Sequence, residues 1–286
     1  MTLAGVVTYN PDMARLELAL RSVRSQVDEI IIADNHSSNA DEISRLCAQM
    51  NISLLRNASN VGLAGALNQI FRASDNRYDW VLTMDQDSVF PPDYVQKAMR
   101  YADISEVGLI CSGYRESNLT VSPPALPLRA EERGEPWQYV KRAITSGAVV
   151  RFAAYEAAGG YDELLFTDYV DFDFSIRLRQ RGYRILRMND TPFEHELGQS
   201  ETKRFLFFRF RFTRHSLVRE ELIGKSMVIF MRLYLGKEPL WKDILSICKY
   251  FLLTLLYDDK RWAKIRVRLK GMRDGFKIPG ESLRKQ

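Results

Sequence analysis

Cysteine is scarce in this chain of 286 residues. Its three cysteines, Cys47, Cys111 and Cys248, lie far apart and in no metal-ligand spacing. An odd number of isolated cysteines argues against a disulfide framework and favours a reducing compartment. The chain opens on a strand-like apolar run at residues 3–7, with no basic and then apolar leader, so we expect no secretory signal peptide.

Long apolar runs and phosphate-binding fingerprints are also missing. A membrane-spanning helix needs roughly 20 apolar residues, whereas the stretch at residues 244–257 is shorter and contains Lys249. Residues 60–68 are rich in small side chains that would let a ligand approach the backbone. They lack the Gly-Lys-Ser/Thr of a Walker loop and the G-x-G-x-x-G spacing of a dinucleotide-binding turn. An ordinary loop that enters a helix stays the alternative.

Charge is unevenly distributed along the chain. Residues 1–200 carry a formal net charge of −7 and residues 201–286 one of +12, which together give the +5 of the whole chain. With 46% hydrophobic residues the chain can bury a substantial core. We predict an acidic domain at 1–200 and a basic helical region at 201–286, whose partner should be anionic.

Apolar strand-like runs alternate with helical segments in the first half of the chain. This alternation is typical of an α/β domain with a Rossmann-like, mostly parallel sheet and flanking helices. The predicted strands are 3–8, 29–33, 52–56, 80–84, 107–111, 144–150 and 185–188, and the first three helices are 12–26, 40–50 and 63–74. Residues 112–138 show no periodicity, and we interpret them as a mobile loop near the functional face.

Polar side chains follow several of these strands. Ligands of such sheets bind at the carboxyl ends of the strands, so we expect these residues to converge on one edge. The converging segments are Thr8-Tyr9-Asn10, Asp34-Asn35, the loop 57–62 and Asp85-Gln86-Asp87.

Two aspartates at the end of one strand suggest a metal site. Asp85 and Asp87 are separated by one residue, which points both to the same side of an extended segment. Carboxylates placed so close repel each other unless a cation such as Mg²⁺ or Mn²⁺ lies between them. The alternative is a solvent-facing Asp/Ser turn. His195 follows a predicted strand that can join the same sheet, and is either a further ligand or a hydrogen-bonded structural histidine.

Seven short motifs follow one another within residues 3–200. They are Val7-Thr8-Tyr9-Asn10-Pro11, Asp34-Asn35-x-Ser37-Ser38, Asn60-x-Gly62-x-Ala64-x-Ala66-x-Asn68, Met84-Asp85-Gln86-Asp87-Ser88, Thr145-Ser146-Gly147, Gly159-Gly160-Tyr161-Asp162, and Asp168-Tyr169-Val170-Asp171 through Arg181-Gly182-Tyr183. Together they resemble family 2 glycosyltransferases of the GT-A fold, and within that family the bacterial rhamnosyltransferases. No single motif is specific, but seven in order are.

The resemblance implies a nucleotide-sugar site. Asp85 and Asp87 would hold a divalent cation, Mg²⁺ or Mn²⁺, that bridges the diphosphate of the donor, with His195 as a further ligand. Residues of the first strands would hold the base and ribose, and α-helical residues after Gly62 would line the pocket. The expected substrate-binding residues are Thr8, Tyr9, Asn10, Asp34, Asn35, Leu63, Ala64, Asn68, Asp85, Gln86, Ser146, Gly147 and Asp168.

Asp171 matches the position of the family's catalytic base, which implies an inverting displacement. Many relatives have Glu-Asp there, whereas this chain has Val170-Asp171. Asp168 or Asp173 is the alternative base, and helix capping is the structural alternative for all three aspartates.

The function expected from the resemblance is transfer of L-rhamnose from dTDP-L-rhamnose to a bacterial cell-surface polysaccharide or lipid-linked saccharide. Alternatives are another hexosyl- or galactofuranosyltransferase and a sugar nucleotidyltransferase, although the latter usually has a Gly-rich, basic loop where Tyr9-Asn10-Pro11 stands. A non-catalytic nucleotide-sugar- or membrane-binding module is the remaining alternative.

The basic C-terminal region interleaves arginines with aromatic residues at 203–214 and has apolar segments at 222–235 and 243–257. No nucleic-acid-binding fold is recognisable there, so we expect no nucleic-acid partner. Basic, aromatic-rich amphipathic helices suit an anionic membrane surface, which predicts a cytoplasmic protein peripheral to the inner face of the bacterial membrane. The alternative is that these helices pack on one another or form a homo-oligomer.

Overall fold

The computed structural model describes residues 1–116, 135–195, 200–205, 208–213 and 215–283. The chain divides into two compact units, and each is described by itself. The first unit comprises Met1–Glu163 and Val170–Glu196, and the second comprises Leu164–Tyr169 and Leu197–Gln286.

The first unit is built on a sheet that has eight strands among the described residues. Its first half is parallel throughout and has the strand order β3-β2-β1-β4. The strands are β1 (Thr2–Thr8), β2 (Glu29–Asp34), β3 (Ser53–Arg56) and β4 (Trp80–Asp85), and the connecting helices are α1 (Met13–Arg24), α2 (Ala40–Met50) and α3 (Gly62–Ser74). The predicted α/β alternation is confirmed.

The second half of the sheet is mixed. It continues from β4 in the order β7-β5-β8-β6, with β7 antiparallel to both neighbours, β5 parallel to β8, and β6 antiparallel to β8. Its strands are β5 (Val107–Glu116), β6 (Trp137–Val140), β7 (Ala148–Arg151) and β8 (Arg184–His195), with helices α4 (Tyr94–Met99), α5 (Phe152–Ala158) and α6 (Val170–Gln180).

Three boundaries in this half differ from those predicted. The strand predicted at 144–150 begins only at Ala148, because Gly147 has a φ of +75° that takes it out of the β region. The loop predicted at 112–138 is shorter, since β5 reaches Glu116 and β6 starts at Trp137; residues 117–134 lie outside the described residues. The strand predicted at 185–188 extends to His195.

The strand order places a ligand crevice beside β1. Strands β2 and β3 lie on one side of β1 and β4 on the other, so the connections diverge at this point of the sheet. In open α/β sheets the crevice at the carboxyl ends of such strands is where ligands bind. The register sets Thr8 opposite Asp34 and Val7 opposite Asp85, which brings the predicted polar segments to this crevice.

The second unit combines a hairpin with three helices among its described residues. The hairpin pairs β9 (Ser200–Phe205) with β10 (Phe208–Thr213), and the helices are α7 (Leu217–Tyr234), α8 (Trp241–Tyr257) and α9 (Arg261–Lys277). The expectation of a wholly helical region from residue 201 is therefore wrong for the hairpin. The alternation of phenylalanine and arginine at 208–212 has a period of two, which is the period of a strand.

Helices α7 and α9 approach each other closely at glycines. A Cβ added to Gly271 would lie 1.9 Å from the carbonyl oxygen of Glu221, and one added to Gly224 would lie 2.3 Å from that of Arg268. The absence of side chains at these positions lets the two backbones touch. A buried ion pair between Glu220 and Arg268, 2.6 Å apart, spans the same contact.

We predict that Gly147→Ala destabilises the first unit. A Cβ at this position would lie 2.5 Å from the Phe193 ring, and the positive φ adds strain. The expected loss is about 1 kcal/mol for the backbone and a further ~1–3 kcal/mol for overpacking. Gly159→Ala is the matched control, because Gly159 has a φ of +80° with no atom within 4 Å of an added Cβ. Equal losses in urea denaturation would contradict the proposed clash.

Candidate active site

Asp85, Asp87 and His195 form a cluster whose ligand atoms all lie within 4.8 Å of one another. Nε2 of His195 is 3.8 Å from Oδ2 of Asp85, and Nδ1 is 3.3 Å from Oδ1 of Asp87. Asp85 ends β4 and His195 ends β8, two strands that are not neighbours in the sheet. The cluster thus joins the aspartate pair to the histidine that the sequence placed after a strand.

A backbone bridge explains how the histidine reaches the aspartates. The amide of Val89 donates to the carbonyl of Glu194 at 2.9 Å, and the amide of Glu194 donates to the carbonyl of Val89 at 2.8 Å. This pair of hydrogen bonds connects the segment that follows Asp87 to the end of β8. His195, the next residue, is therefore held against both carboxylates.

The cluster has the chemistry of a divalent cation site. Oδ1 of Asp87 is buried and has no hydrogen-bond partner, although it faces Nδ1 of His195. A buried carboxylate oxygen without a hydrogen bond is costly unless a charge compensates it. Carboxylate ligands bind both Mg²⁺ and Mn²⁺. A site that also contains an imidazole nitrogen favours Mn²⁺ over Mg²⁺.

The protonation of His195 reflects the same charges. Burial disfavours the imidazolium, but the contact with Asp87 and the negative charges of Asp85 and Asp87 outweigh burial and hold the pKa of His195 above its usual value. A cation between the carboxylates would supply compensating positive charge at the same place.

Two serines orient the histidine. Ser88 Oγ is 2.9 Å from Nδ1 of His195 and 2.7 Å from Ser146 Oγ, and the amide of Asp85 donates to Ser146 Oγ at 3.3 Å. Both serines are buried. With Nδ1 engaged by Ser88, Nε2 is the nitrogen available to a cation, an arrangement typical of metal-binding histidines. Ser88 ends the motif Met84-Asp85-Gln86-Asp87-Ser88, but no pattern in the sequence indicates this role.

Asp34 and Asn35 are braced by neighbouring loops. The hydroxyls of Thr8 and Ser37 donate to Oδ1 of Asp34, at 2.9 and 2.5 Å. Nδ2 of Asn35 donates to the carbonyl of Gly62 at 3.0 Å, so this side chain fixes the loop before α3. Their predicted contacts with base and ribose stay predictions.

Tyr9 and Gln86 connect the ends of β1 and β4, and Asn10 connects the end of β1 to the loop after β2. The Tyr9 amide donates to Oε1 of Gln86 at 2.8 Å, and the Asn10 side chain accepts from the amide and hydroxyl of Ser38, at 2.7 and 2.9 Å. Asn10 adopts a φ of +48°, which asparagine tolerates better than most residues. The Tyr9 side chain is 51% exposed beside the crevice.

Three residues predicted to line the pocket belong to helix α3, where the structure shows their burial and their contacts within the protein. Leu63 is half-buried, and Ala64 is fully buried in the core. The Asn68 amide donates to the Tyr161 carbonyl and to Glu163, and its oxygen accepts from the Tyr155 hydroxyl and the Tyr161 amide. Asn68 thus fixes the turn at 160–163, and contact of these residues with a nucleotide stays a prediction.

The three candidate bases occupy different environments. Asp171 is half-buried in the first turn of α6. Asp173 is 1% exposed and bonded to Arg177 at 2.5 Å, so it is committed to an internal ion pair. Asp168 belongs to the second unit, where burial raises the pKa of its carboxyl although Arg219, 3.7 Å away, opposes the shift. Asp168 and Asp171 are both half-buried, and of the two Asp171 belongs to the first unit, which also contains the cluster of Asp85, Asp87 and His195.

Comparison with known proteins assigns the family. Residues 4–160, more than half of the chain, match the family model described as Glycosyl transferase family 2. The chain belongs to this family. The dTDP-rhamnosyl transferase RfbF of Shigella flexneri is 23% identical over 209 residues, which cover 70% of each protein.

Solved structures show the same fold. The S. aureus TarS 1-349 complex with UDP has a TM-score of 0.56 at 15% identity, covering 99% of this chain and 77% of that one. The complex with UDP-GlcNAc has a TM-score of 0.55 at 15% identity, covering 100% and 76%. This chain spans only 44% of a longer TarS chain. The predicted family and GT-A type fold are confirmed.

We predict that Asp87→Asn weakens Mn²⁺ binding by at least about tenfold. Substitution of residues that only hydrogen-bond to metal ligands already lowers metal affinity by about that factor. The substitution keeps the shape of the side chain and removes its charge. Isothermal titration with MnCl₂ measures the affinity, and Asp103→Asn, an exposed aspartate outside the cluster, is the control. Equal affinities of the Asp87→Asn protein and the wild type would contradict the metal site.

Proposed function

We propose that this chain is a cation-dependent, inverting glycosyltransferase that transfers L-rhamnose from dTDP-L-rhamnose. The acceptor in this proposal is a bacterial cell-surface polysaccharide or a lipid-linked saccharide, met at the cytoplasmic face of the membrane. The cluster of Asp85, Asp87 and His195 beside the crevice at β1 is the observation that carries the proposal. The similarity to a dTDP-rhamnosyl transferase supports the choice of donor.

Donor binding divides between the two sides of the crevice. Asp85, Asp87 and His195 would hold Mg²⁺ or Mn²⁺, which when bound supplies positive charge to the diphosphate of the leaving group. The exposed ring of Tyr9 is available to stack on the nucleobase. Asp34, which accepts from the hydroxyls of Thr8 and Ser37, would also accept from the deoxyribose of the donor.

The chemical step assigned to the protein is a proton transfer. Asp171 accepts the proton of the acceptor hydroxyl while that oxygen bonds to the anomeric carbon. The bond between the anomeric carbon and the diphosphate oxygen breaks on the opposite face, and both electrons leave with the nucleoside diphosphate. One displacement of this kind inverts the anomeric configuration.

A different donor is the second candidate, because the structurally similar TarS was solved with UDP and UDP-GlcNAc. The nucleotides dTDP and UDP differ by a methyl group on the base and by the 2′-hydroxyl of the sugar, so we infer that a crevice that binds one can bind the other with a modest difference in affinity. Transfer of another hexose by the same residues would leave the roles of Asp85, Asp87 and Asp171 unchanged.

We predict that dTDP-L-rhamnose raises the melting temperature more than UDP-GlcNAc does, and only when Mn²⁺ is present. A ligand stabilises a protein by binding the folded state alone, so the shift reports donor affinity. Thermal denaturation with each donor, with Mn²⁺ or with EDTA, measures the effect. If neither donor raised the melting temperature, or if each donor raised it equally with Mn²⁺ and with EDTA, the proposal would be contradicted. A larger rise with UDP-GlcNAc than with dTDP-L-rhamnose would make UDP-GlcNAc the better candidate donor.

We predict that Asp171→Asn lowers kcat by about 10²–10⁴-fold, the range for loss of a positioned base. The thermal shift with donor and Mn²⁺ should stay at the wild-type value, because Asp171 acts on the acceptor. Release of nucleoside diphosphate in the presence of acceptor measures turnover, with Asp103→Asn as the control. Wild-type turnover in Asp171→Asn would show that Asp171 is not the base. If Asp168→Asn alone lost turnover by this factor, Asp168 would be the base instead.

A further inference from the structure

Helix α8 exposes half of its apolar side chains. Thr254 is its single buried residue, although the helix is dominated by leucine, isoleucine and aromatic residues. Five of the large apolar side chains are between 41% and 63% exposed. They are Trp241, Ile244, Leu245, Leu252 and Leu256.

These side chains lie on one side of the helix. Trp241, Leu245, Leu252 and Leu256 follow one another at spacings of four, seven and four, which in a helix with 3.6 residues per turn places them in one row. The exposed Cys248 belongs to the same row. At 1.5 Å per residue the row is about 22 Å long. We call it the α8 face.

Helix α9 buries charged side chains and exposes apolar ones, the reverse of an ordinary amphipathic helix. Its buried residues are Lys264, Arg268, Gly271 and Gly275, whereas Trp262, Leu269 and Phe276 are between 50% and 71% exposed. An ordinary surface helix turns its apolar stripe inward and its charges outward. The three apolar residues recur every seven positions and so share one side, which we call the α9 face.

The charged residues inside the second unit explain this inversion. Lys264 bonds Asp258 at 2.6 Å, and Arg268 bonds Glu220 at 2.6 Å and covers the Tyr250 ring at 3.7 Å. These buried contacts join α7, α8 and α9 without using the exposed apolar side chains of the α8 and α9 faces. The α8 and α9 faces therefore have a role other than holding the helices together.

Cations lie beside both faces. Arg266 and Arg273 lie between the apolar residues of the α9 face, and Lys242 and Lys249 lie along one edge of the α8 face; all four are exposed. A surface that combines exposed tryptophans and leucines with lysines and arginines suits the boundary between lipid headgroups and acyl chains. Among the described residues no helix is long and apolar enough to cross a membrane.

We propose that the α8 and α9 faces seat the second unit on a bilayer surface that contains anionic lipid. The apolar side chains enter the headgroup region, and the lysines and arginines attract the lipid phosphates. Charge complementarity selects this occupant over a second copy of the chain. In a two-fold dimer the same cations would meet across the interface, within a region whose net charge is +12.

This inference is independent of the proposed donor and acceptor, since it concerns physical binding and not turnover. It also gives a lipid-linked acceptor a place beside the enzyme. Its test therefore uses vesicles and no sugar, and donor binding is measured separately.

The test compares two substitutions in exposed leucines. Wild type is floated on a density gradient with phosphatidylcholine vesicles, with and without phosphatidylglycerol, at low and at high salt. We expect binding only to the anionic vesicles, and weaker binding at high salt. Leu245→Glu/Leu252→Glu should lower the bound fraction at least about tenfold, because each charge opposes insertion and repels the lipid.

Leu18→Glu is the matched control, because Leu18 is 49% exposed on α1 of the first unit, close to the 53% of Leu252. It should bind vesicles as the wild type does. Arg266→Glu/Arg273→Glu gives a second variant, which should lose binding through charge alone. A probe on Cys248, the exposed one of the three cysteines, should shift its emission to the blue on anionic vesicles.

Three results would overturn the proposal. They are no flotation of the wild type with anionic vesicles at low salt, an equal loss in Leu18→Glu, and a wild-type dimer in sedimentation velocity that Leu245→Glu/Leu252→Glu converts to a monomer without vesicle binding. The thermal shift with donor and Mn²⁺ should be unchanged in every variant. Failure of that shift in the wild type would reject the proposed donor and leave the membrane surface to be judged by flotation.

Discussion

Repulsion between the carboxylates of Asp85 and Asp87 is the constraint on which the first unit depends. Two like charges beside each other need a compensating positive charge, and the fold brings His195 from a strand that does not neighbour β4 to 3.8 Å from Asp85 and 3.3 Å from Asp87. The Val89–Glu194 bridge and the serine pair hold that histidine in place. A site with a concentrated negative charge at the crevice of an α/β sheet is suited to a cation and a diphosphate.

The sequence predicted the parts of this arrangement that are local. Strand and helix alternation follows from hydrophobic period, and Asp85 and Asp87 were recognised from their spacing and their place after a strand. The bridge between Val89 and Glu194, and the turn at Gly147 that packs on Phe193, join residues that are far apart in the chain. No local pattern reports such pairings, so the length of β8 and the start of β7 were missed.

At the start of the basic C-terminal region, amino-acid composition was a poorer guide to secondary structure than the period of the residue pattern. Residues 201–213 fall in the region that basic and aromatic content predicts to be helical, although the alternation at 208–212 is that of the hairpin that forms. In the helices that follow, the sequence indicated amphipathic segments but not which side faces inward. That depends on the buried pairs Glu220–Arg268 and Asp258–Lys264, which turn the charged side of α9 inward and the apolar side outward.

In the proposed function, a cation held by the first unit would also hold the diphosphate of the donor. Pulsed electron paramagnetic resonance of Mn²⁺ bound with dTDP measures both contacts in one sample. We expect ¹⁴N coupling from His195 together with ³¹P coupling from the nucleotide, and loss of the ¹⁴N coupling in His195→Gln. A spectrum without ³¹P coupling, or one whose ¹⁴N coupling survives in His195→Gln, would contradict it.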